Sequence, residues 1–423
     1  VADQTRNVFV LGLDDRNLAL MQNLPNASSL RFHRLLTREE LMYVEAPVGE
    51  LLDRARDELN SFDSTIDAIV GYWDFPVSSM VPVLCREYGL PGPSLEAVLK
   101  CEHKYWSRIE QRKVALSFPP FELVSLENDP EPPRLNYPYW LKPVKSYSSA
   151  FAYKISSAEQ FHQAAQEIRT GMEYIGEAFD HFLDQAEVPA EVAAAGGSAC
   201  LAEEQVSGQQ ITAEGYSYRG RPHVYGIIDS ICYPDTPSFL RYQYPTQLPG
   251  EIVQRVTDVS CRVIKQIGLD NSAFNIEFFW DGERDRINIL EINPRISQSR
   301  APLFTYVDGV PNHHCVVRVA LGEDPHMPRQ RGEHRSAAKW FWRTFSDGVA
   351  ERVPSAEDVQ RVQEEVPSAV VDIIAERDRR LSELPAQDSY SYELAAIYLG
   401  APDQEQLRTK YQKCRELLPF EIK

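Results

Sequence analysis

The sequence predicts an α/β and α+β protein, with an N-terminal parallel-sheet αβ domain, a mixed body in two subdomains and a C-terminal accessory region. Two observations carry this. Over the first hundred residues, short apolar runs alternate with amphipathic stretches, which argues for a parallel sheet with covered faces. Further along, FNIEFFW (274–280) and INILEINPR (287–295) flank the polar turn DGERDR and read as antiparallel neighbours. A chain of 423 residues holds two or three cores of useful size.

The N-terminal domain is expected over 1–104. Asn7 to Leu11 is a strand that runs into Gly12, and LDDRNLALMQNL follows as a helix. Gly12 stands alone, without the GxGxxG of a dinucleotide fold. Ala68 to Gly71 is a second strand, leading into a loop through Trp73, Asp74, Phe75 and Pro76. A helix with Val81, Leu84 and Cys85 on one face comes next, then the turn GLPGPS. The subdomain expected over 105–205 opens with a helix at Lys104–Lys113 and contains the extended run Tyr139 to Pro143 and a strand at Ala152 to Ile155. SSAEQFHQAAQEIR is a helix opened by Ser, with Glu159 in its first turn. AEVPAEVAAAGGSA reads as a flexible surface excursion or a lid edge. Residues 206–330 alternate short strands with helices and hold the densest polar chemistry. The accessory region, 331–423, carries amphipathic helices such as SAEDVQRVQEEV and PDQEQLRTKYQKCRELL.

Forty-four Lys and Arg against 62 Asp and Glu give a net charge of -18, which disfavours a nucleic-acid binder. No run of 18 apolar residues is present, so no membrane span is expected, and the first residues lack the pattern of a secretory signal. Seven cysteines with no CxxC pair read as buried thiols of a reducing, cytoplasmic compartment.

The chemistry concentrates in the paired segments. Period-2 alternation puts Asn275, Glu277 and Phe279 on one face of the first, and Glu291, Asn293 and Arg295 on one face of the second. Two carboxylates and an amide inside an apolar layer need partners. A hard divalent cation is one solution and a salt-bridge network the other. Arg295 can neutralise a transferring phosphoryl group.

These segments resemble the ATP-grasp superfamily, in its carboxylate–amine ligase and biotin-carboxylase-like branch, with motifs in order over roughly residues 5–325. GLPGPSLEAVLKCEHKYWSRI is similar to the link into the first ATP-grasp subdomain, with Lys104 on the phosphate side, and PYWLKP to the strand bearing a second nucleotide lysine, Lys142. LAEEQVSGQQITAEGY (201–216) resembles the adenine hinge. The resemblance implies backbone contacts to adenine from Glu203 and Val206, with Glu204 or Gln205 nearby. It also implies Mg2+, with Mn2+ as an alternative, on Glu277, Glu291 and Asn293, and phosphate stabilisation by Arg295. The phosphate-covering loop departs from the family pattern: KPVKSYSSAFAY has no Gly, leaving the hydroxyls of Ser146, Ser148 and Ser149 as donors and Lys145 as either a compensating cation or a surface charge. NPRISQSR replaces the usual Gly-rich continuation, so Ser297 to Arg300 are expected to shape an acceptor pocket, with Arg300 on a carboxylate.

The implied activity is an ATP-dependent ligase that joins a carboxylate to an amine, amino acids included, through an acyl phosphate. The alternatives are a biotin-carboxylase-like enzyme acting on bicarbonate, a phosphorylating kinase and a non-catalytic nucleotide-binding scaffold. His313 and His314 are either substrate-orienting or packed at a helix start. Asp229 is either cleft-facing or simply the end of a strand. Related architectures often pair, so a homodimer is compatible with the resemblance.

Overall fold

Strand β1 (Arg6–Leu11) lies between β2 (Leu30–Leu35) and β3 (Ala68–Val70) in a parallel sheet. The protein is seen here in a computed structural model, which describes residues 5–42, 46–114, 117–126, 130–146, 151–385, 387–388 and 390–423. Phe9 and Leu11 enter one apolar core and Val8 and Val10 another, as expected of a parallel strand covered on both sides. β2 escaped the sequence reading because it is an edge strand, LRFHRL, with only Leu35 fully buried. Helix α1 (Asp15–Gln22) is capped by Asp14, which accepts from the Asn17 N–H at 2.8 Å. Gly12 has φ +67°, its carbonyl accepts from Trp73 Nε1 at 2.9 Å, and a Cβ there would meet the indole at 2.9 Å. Packing against Trp73 therefore accounts for this glycine.

Helices α2 (Arg38–Met42), α3 (Val48–Asn60) and α4 (Val77–Glu87) complete this unit, and α5 (Leu95–Glu102) and α6 (Lys104–Lys113) lead out of it. The next sheet contains β4 (Phe121–Val124), β5 (Tyr139–Pro143), β6 (Tyr153–Ile155) and β7 (Cys200–Glu204) in the order β4-β7-β5-β6. Helix α7 (Ala158–Leu183) covers it through Phe161, Ala165 and Ile168. As the sequence predicts, Ser157 caps α7, accepting from the Gln160 N–H at 3.2 Å. The far end of α7 inserts Phe179 and Phe182 into the N-terminal core. The segment expected to be loose is instead pinned. Helix α8 (Ala190–Ala195) buries Val192 in that core, and the Gly197 N–H donates to Asp180 at 2.7 Å.

Residues from 209 onward build one eight-stranded sheet in place of the alternation of short strands and helices that was expected. β8 (Gln209–Tyr218), β9 (Arg221–Cys232) and β10 (Phe239–Tyr244) are followed by helix α9 (Gly250–Ile267), then β11 (Ser272–Asp281) and β12 (Arg286–Asn293). α9 packs Val256, Val263 and Ile264 on Ile211, Phe274, Ile276 and Phe278. On the opposite face sit α10 (Ala301–Asp308) and α11 (His313–Ala320), sharing a core with the N-terminal sheet. β13 (Ser336–Thr344) pairs with β10, so the sheet runs unbroken past residue 330. β14 (Ala350–Arg352) stands apart, whereas β15 (Val370–Ile373) and β16 (Tyr392–Ala401) extend the large sheet to the order β12-β11-β8-β9-β10-β13-β16-β15. α12 (Ala356–Glu365) and α13 (Gln404–Leu417) cover its far end, and β17 (Glu421–Ile422) pairs with β14. Among the described residues, no helix is long and apolar enough to cross a membrane. The seven cysteines are free, but Cys232 and Cys261 are only half-buried.

Candidate nucleotide and metal site

The paired strands deliver the carboxylates to one face. Glu277 lies directly opposite Glu291, and Asn275 opposite Asn293. A bulge makes this register possible: Phe278 pairs with Ile289, leaving Leu290 as the extra residue of β12. Ile287 and Ile289 point into the core with Phe278, and without Leu290 strict alternation would send Glu291 there too. Asn293 donates to Asn275 Oδ1 at 3.1 Å, and Asn275 donates to the Arg295 carbonyl at 2.9 Å. β12 ends at Asn293, so Arg295 is not on its extended face; it still reaches Asn293 Oδ1 at 3.5 Å and forms an ion pair with Asp74.

Lysines approach from other elements. His103 caps α6 by accepting from the Trp106 N–H at 3.3 Å, while its Nε2 lies 3.1 Å from the Gly196 carbonyl oxygen. The Lys104 N–H donates to the Val144 carbonyl at 2.8 Å, fixing the helix start beside the end of β5. Lys104 Nζ sits 3.3 Å from Glu291 and 3.4 Å from Ser146 Oγ. Lys142, on β5, forms an ion pair with Glu203, its diagonal neighbour on β7. Lys145 is buried between Asp74 at 3.1 Å and Glu102 at 3.3 Å, which removes the surface-charge reading.

The charges perturb one another in an ordered way. Burial, aided by the nearby Glu291 charge, raises the Glu277 pKa although Arg300 opposes it. Burial works the same way on Glu291, but Lys104 and Lys142 prevail and lower its pKa. Burial lowers the Lys104 pKa against the pull of Glu291. Asp74 overcomes burial through Arg295 and Lys145 and stays far below the usual carboxylate range. Glu203 overcomes burial through Arg108 and Lys142, and its pKa falls to about 2.

The hinge differs in detail from the sequence expectation. Glu203 pairs with Phe121 on one side and Trp140 on the other, inside the sheet, and its buried side chain accepts from Arg108 and Lys142. The Glu204 N–H donates to the Pro120 carbonyl at 2.9 Å. β7 ends at Glu204, so backbone free of strand pairing begins beyond it, in the segment holding Gln205 and Val206. Ser148 and Ser149 lie outside the described residues.

Arg300 is buried, 3.4 Å from Glu214 and 4.7 Å above the Tyr242 ring. Glu214 also accepts from Tyr225 at 2.9 Å and Asn312 at 3.0 Å. Asp229 is an interior residue of β9, not its end, and accepts from Gln209 at 3.1 Å, Gln243 at 3.4 Å and the Gln247 N–H at 2.9 Å. His313 packs edge-on against Tyr72 with centroids 5.0 Å apart, and burial lowers its pKa to about 3. His314 Nε2 lies 3.0 Å from the Pro325 carbonyl oxygen. Both histidines are thus packed at the start of a helix. Sequence reasoning missed Arg108, Glu102 and Asp74 as members of this network. Asp74 alone had a usable signal, since it follows the C-terminal end of a parallel strand, where such sheets gather ligands.

Among the described residues no three His, Cys, Asp or Glu side chains cluster as a metal site. The donor set at β11–β12 is therefore two facing carboxylates and an amide oxygen, all hard oxygen donors suited to a cation that keeps other ligands from phosphate or water. Lys104 from α6 and Lys142 from β5 both act on Glu291 of this carboxylate pair, Arg295 lies beside Asn293, and residues 135–302 match the family described as ATP-grasp domain. That match covers about two fifths of the chain. Among solved structures, the fold is similar to that of an L-amino acid ligase from Bacillus licheniformis, with a TM-score of 0.72, 15% identity and 99% of each chain covered. It is also similar to a biotin carboxylase from Campylobacter jejuni, with a TM-score of 0.64, 13% identity and coverage of 100% of this chain and 93% of that one. Among curated sequences, a carbamoyl phosphate synthase large chain from Kineococcus radiotolerans is 38% identical over 69 residues. That match spans 16% of this chain and only 6% of the relative.

Proposed function

We propose that this protein is an ATP-dependent carboxylate–amine ligase that transfers the ATP γ-phosphoryl group to a carboxylate and releases the product amide with ADP and phosphate. The observation that carries this reading is the facing of Glu277 and Glu291 across β11–β12, with Lys104 bonded to one of them and Arg295 beside Asn293. Glu277, Glu291 and Asn293 would hold Mg2+ or Mn2+, which when bound supplies Lewis-acid neutralisation of phosphate charge.

Lys104 and Lys142 would bind the phosphates, exchanging Glu291 and Glu203 for phosphate oxygens. Arg295, held by Asp74, would neutralise charge that develops on the transferring phosphoryl group. The adenine edge would meet the backbone beyond Glu204, at Gln205 and Val206. Arg300, held by Glu214 and Tyr242, would line the acceptor side of the site, where its guanidinium fork suits a carboxylate. The amine then attacks the acyl phosphate, forming the C–N bond as phosphate leaves. Water must stay out of the site, because hydrolysis competes with that attack.

ADP release by purified protein with Mg-ATP, measured over a crossed panel of carboxylic acids and amines with mass spectrometry, tests the reading. ADP release that needs both partners and yields an amide mass supports it. Release that needs bicarbonate and biotin assigns carboxylation instead.

A further inference from the structure

Strand register continues the polar face of Glu277 away from the phosphoryl-transfer centre. Phe279 pairs with Gln210, Gln210 with Ser230, Ser230 with Tyr242, Tyr242 with Lys339 and Lys339 with Tyr398. Residues opposite one another share a face, so one row crosses six strands. Lys339 is only 9% exposed, and its ammonium lies 4.3 Å from the Phe341 centroid and 5.5 Å from that of Tyr398. Among the described residues it has no carboxylate at ion-pair distance. Glu393, whose charge Lys339 favours, is held by Arg343 at 3.3 Å. Ser230 Oγ and Arg300 Nε, both buried in the same neighbourhood, have no hydrogen-bond partner among the described residues. A buried ammonium and two unmet polar atoms around aromatic walls are incomplete as a structural core. An entering anion would complete them.

We propose that Lys339, Arg300 and Tyr242 form a carboxylate-binding subsite for the amine partner, which makes the acceptor an amino acid or peptide with a free carboxylate. This rests on the ligase reading above. Lys339 stands one strand beyond Tyr242, and Arg300 bridges Tyr242 toward Glu277, so the bound carboxylate is distal to the reacting centre. Arg16 stacks 5.0 Å over Tyr398 and pairs with Asp372, closing the far end of the row.

The test uses the full chain with Mg-ATP and the twenty proteinogenic amino acids as donors. The acceptors are the same amino acids as free acids or as C-terminal carboxamides. Product masses are recorded, and binding of each acid and amide to the Mg-ADP-loaded protein is measured by calorimetry. The expected result is selection of acids over amides by about 10- to 100-fold, the range of a charge-assisted contact. Lys339→Met should abolish that selection and leave the KM for ATP unchanged, while Lys339→Arg restores most of it. Equal binding of acids and amides by the wild-type protein, no binding of either, or unchanged selection in Lys339→Met overturns the subsite. ADP release without any amide mass, alongside acid-selective binding, overturns the ligase reading and leaves the subsite standing.

Discussion

Arg108 Nη2 donates to the carbonyl of Leu290, the bulged residue of β12, at 3.0 Å, while its Nε donates to Glu203 at 2.6 Å. One buried guanidinium thus ties the hinge strand to the irregularity that turns Glu291 outward. Its planar fork suits two acceptors in different directions, which an ammonium cannot match.

Arg108→Met is therefore expected to lower stability by about 1.5–3 kcal/mol, the range for hydrogen bonds to a charged group. It should also lower kcat/KM for Mg-ATP, since both the hinge and Glu291 lose their brace. Denaturant unfolding and nucleotide titration check this. Wild-type ATP affinity and stability in the variant would show that Arg108 braces nothing.

Glu291→Gln removes a negative donor and releases Lys104. ADP release should fall by roughly 10²-fold or more, as for other losses of preorganised electrostatic stabilisation, with a higher Mg2+ concentration needed for half-maximal rate. Unchanged Mg2+ dependence would count against a metal-binding role for this carboxylate.

His313 supplies a pH prediction. Its folded pKa is depressed from 6.5 to about 3 by burial, so the unfolded chain binds the proton more readily. Its contribution to stability is full above about pH 6.5 and is lost progressively as pH falls toward about 3. Neither ring nitrogen has a hydrogen-bond partner among the described residues, so His313→Phe should cost under about 1.5 kcal/mol at neutral pH and flatten the acid limb of the stability curve. The kcat profile should keep its wild-type shape, and a vanished ionisation in that profile would instead mark His313 as catalytic.

Gly208 lies in the segment between β7 and β8 with φ +121°, and a Cβ there would meet the Trp280 carbonyl oxygen at 2.2 Å. Gly208→Ala should raise KM for ATP by displacing the hinge backbone, besides lowering Tm. Parallel ATP titrations and thermal melts separate the two effects. An unchanged KM with lowered Tm would confine Gly208 to stability.

What the sequence disclosed follows from the range of the interactions. Alternation in FNIEFFW put Glu277 on the correct face because that strand is regular, and Ser157 announced α7 because a cap is local. Leu290 was invisible: a bulge exists only relative to a partner strand. Lys145 read equally as a compensating cation or a surface charge because Asp74 and Glu102, which bury it, are 71 and 43 positions away. The row from Gln210 to Lys339 is assembled strand by strand from segments spread over more than a hundred residues. Local patterning carries no trace of such a row.

The hydrogen-bonded seam between β10 and β13 has a consequence for modular exchange. Separating the chain there, to graft the catalytic half onto another scaffold, would strip β10 of a neighbour and leave its Arg241–Tyr244 ladder as an open template for any passing strand. Whatever drift the C-terminal hundred residues undergo, that shared edge must be kept in register. A crossover anywhere between β10 and β13, in the loops around α9 as much as in the turn between β11 and β12, therefore sets two parents against each other across that seam.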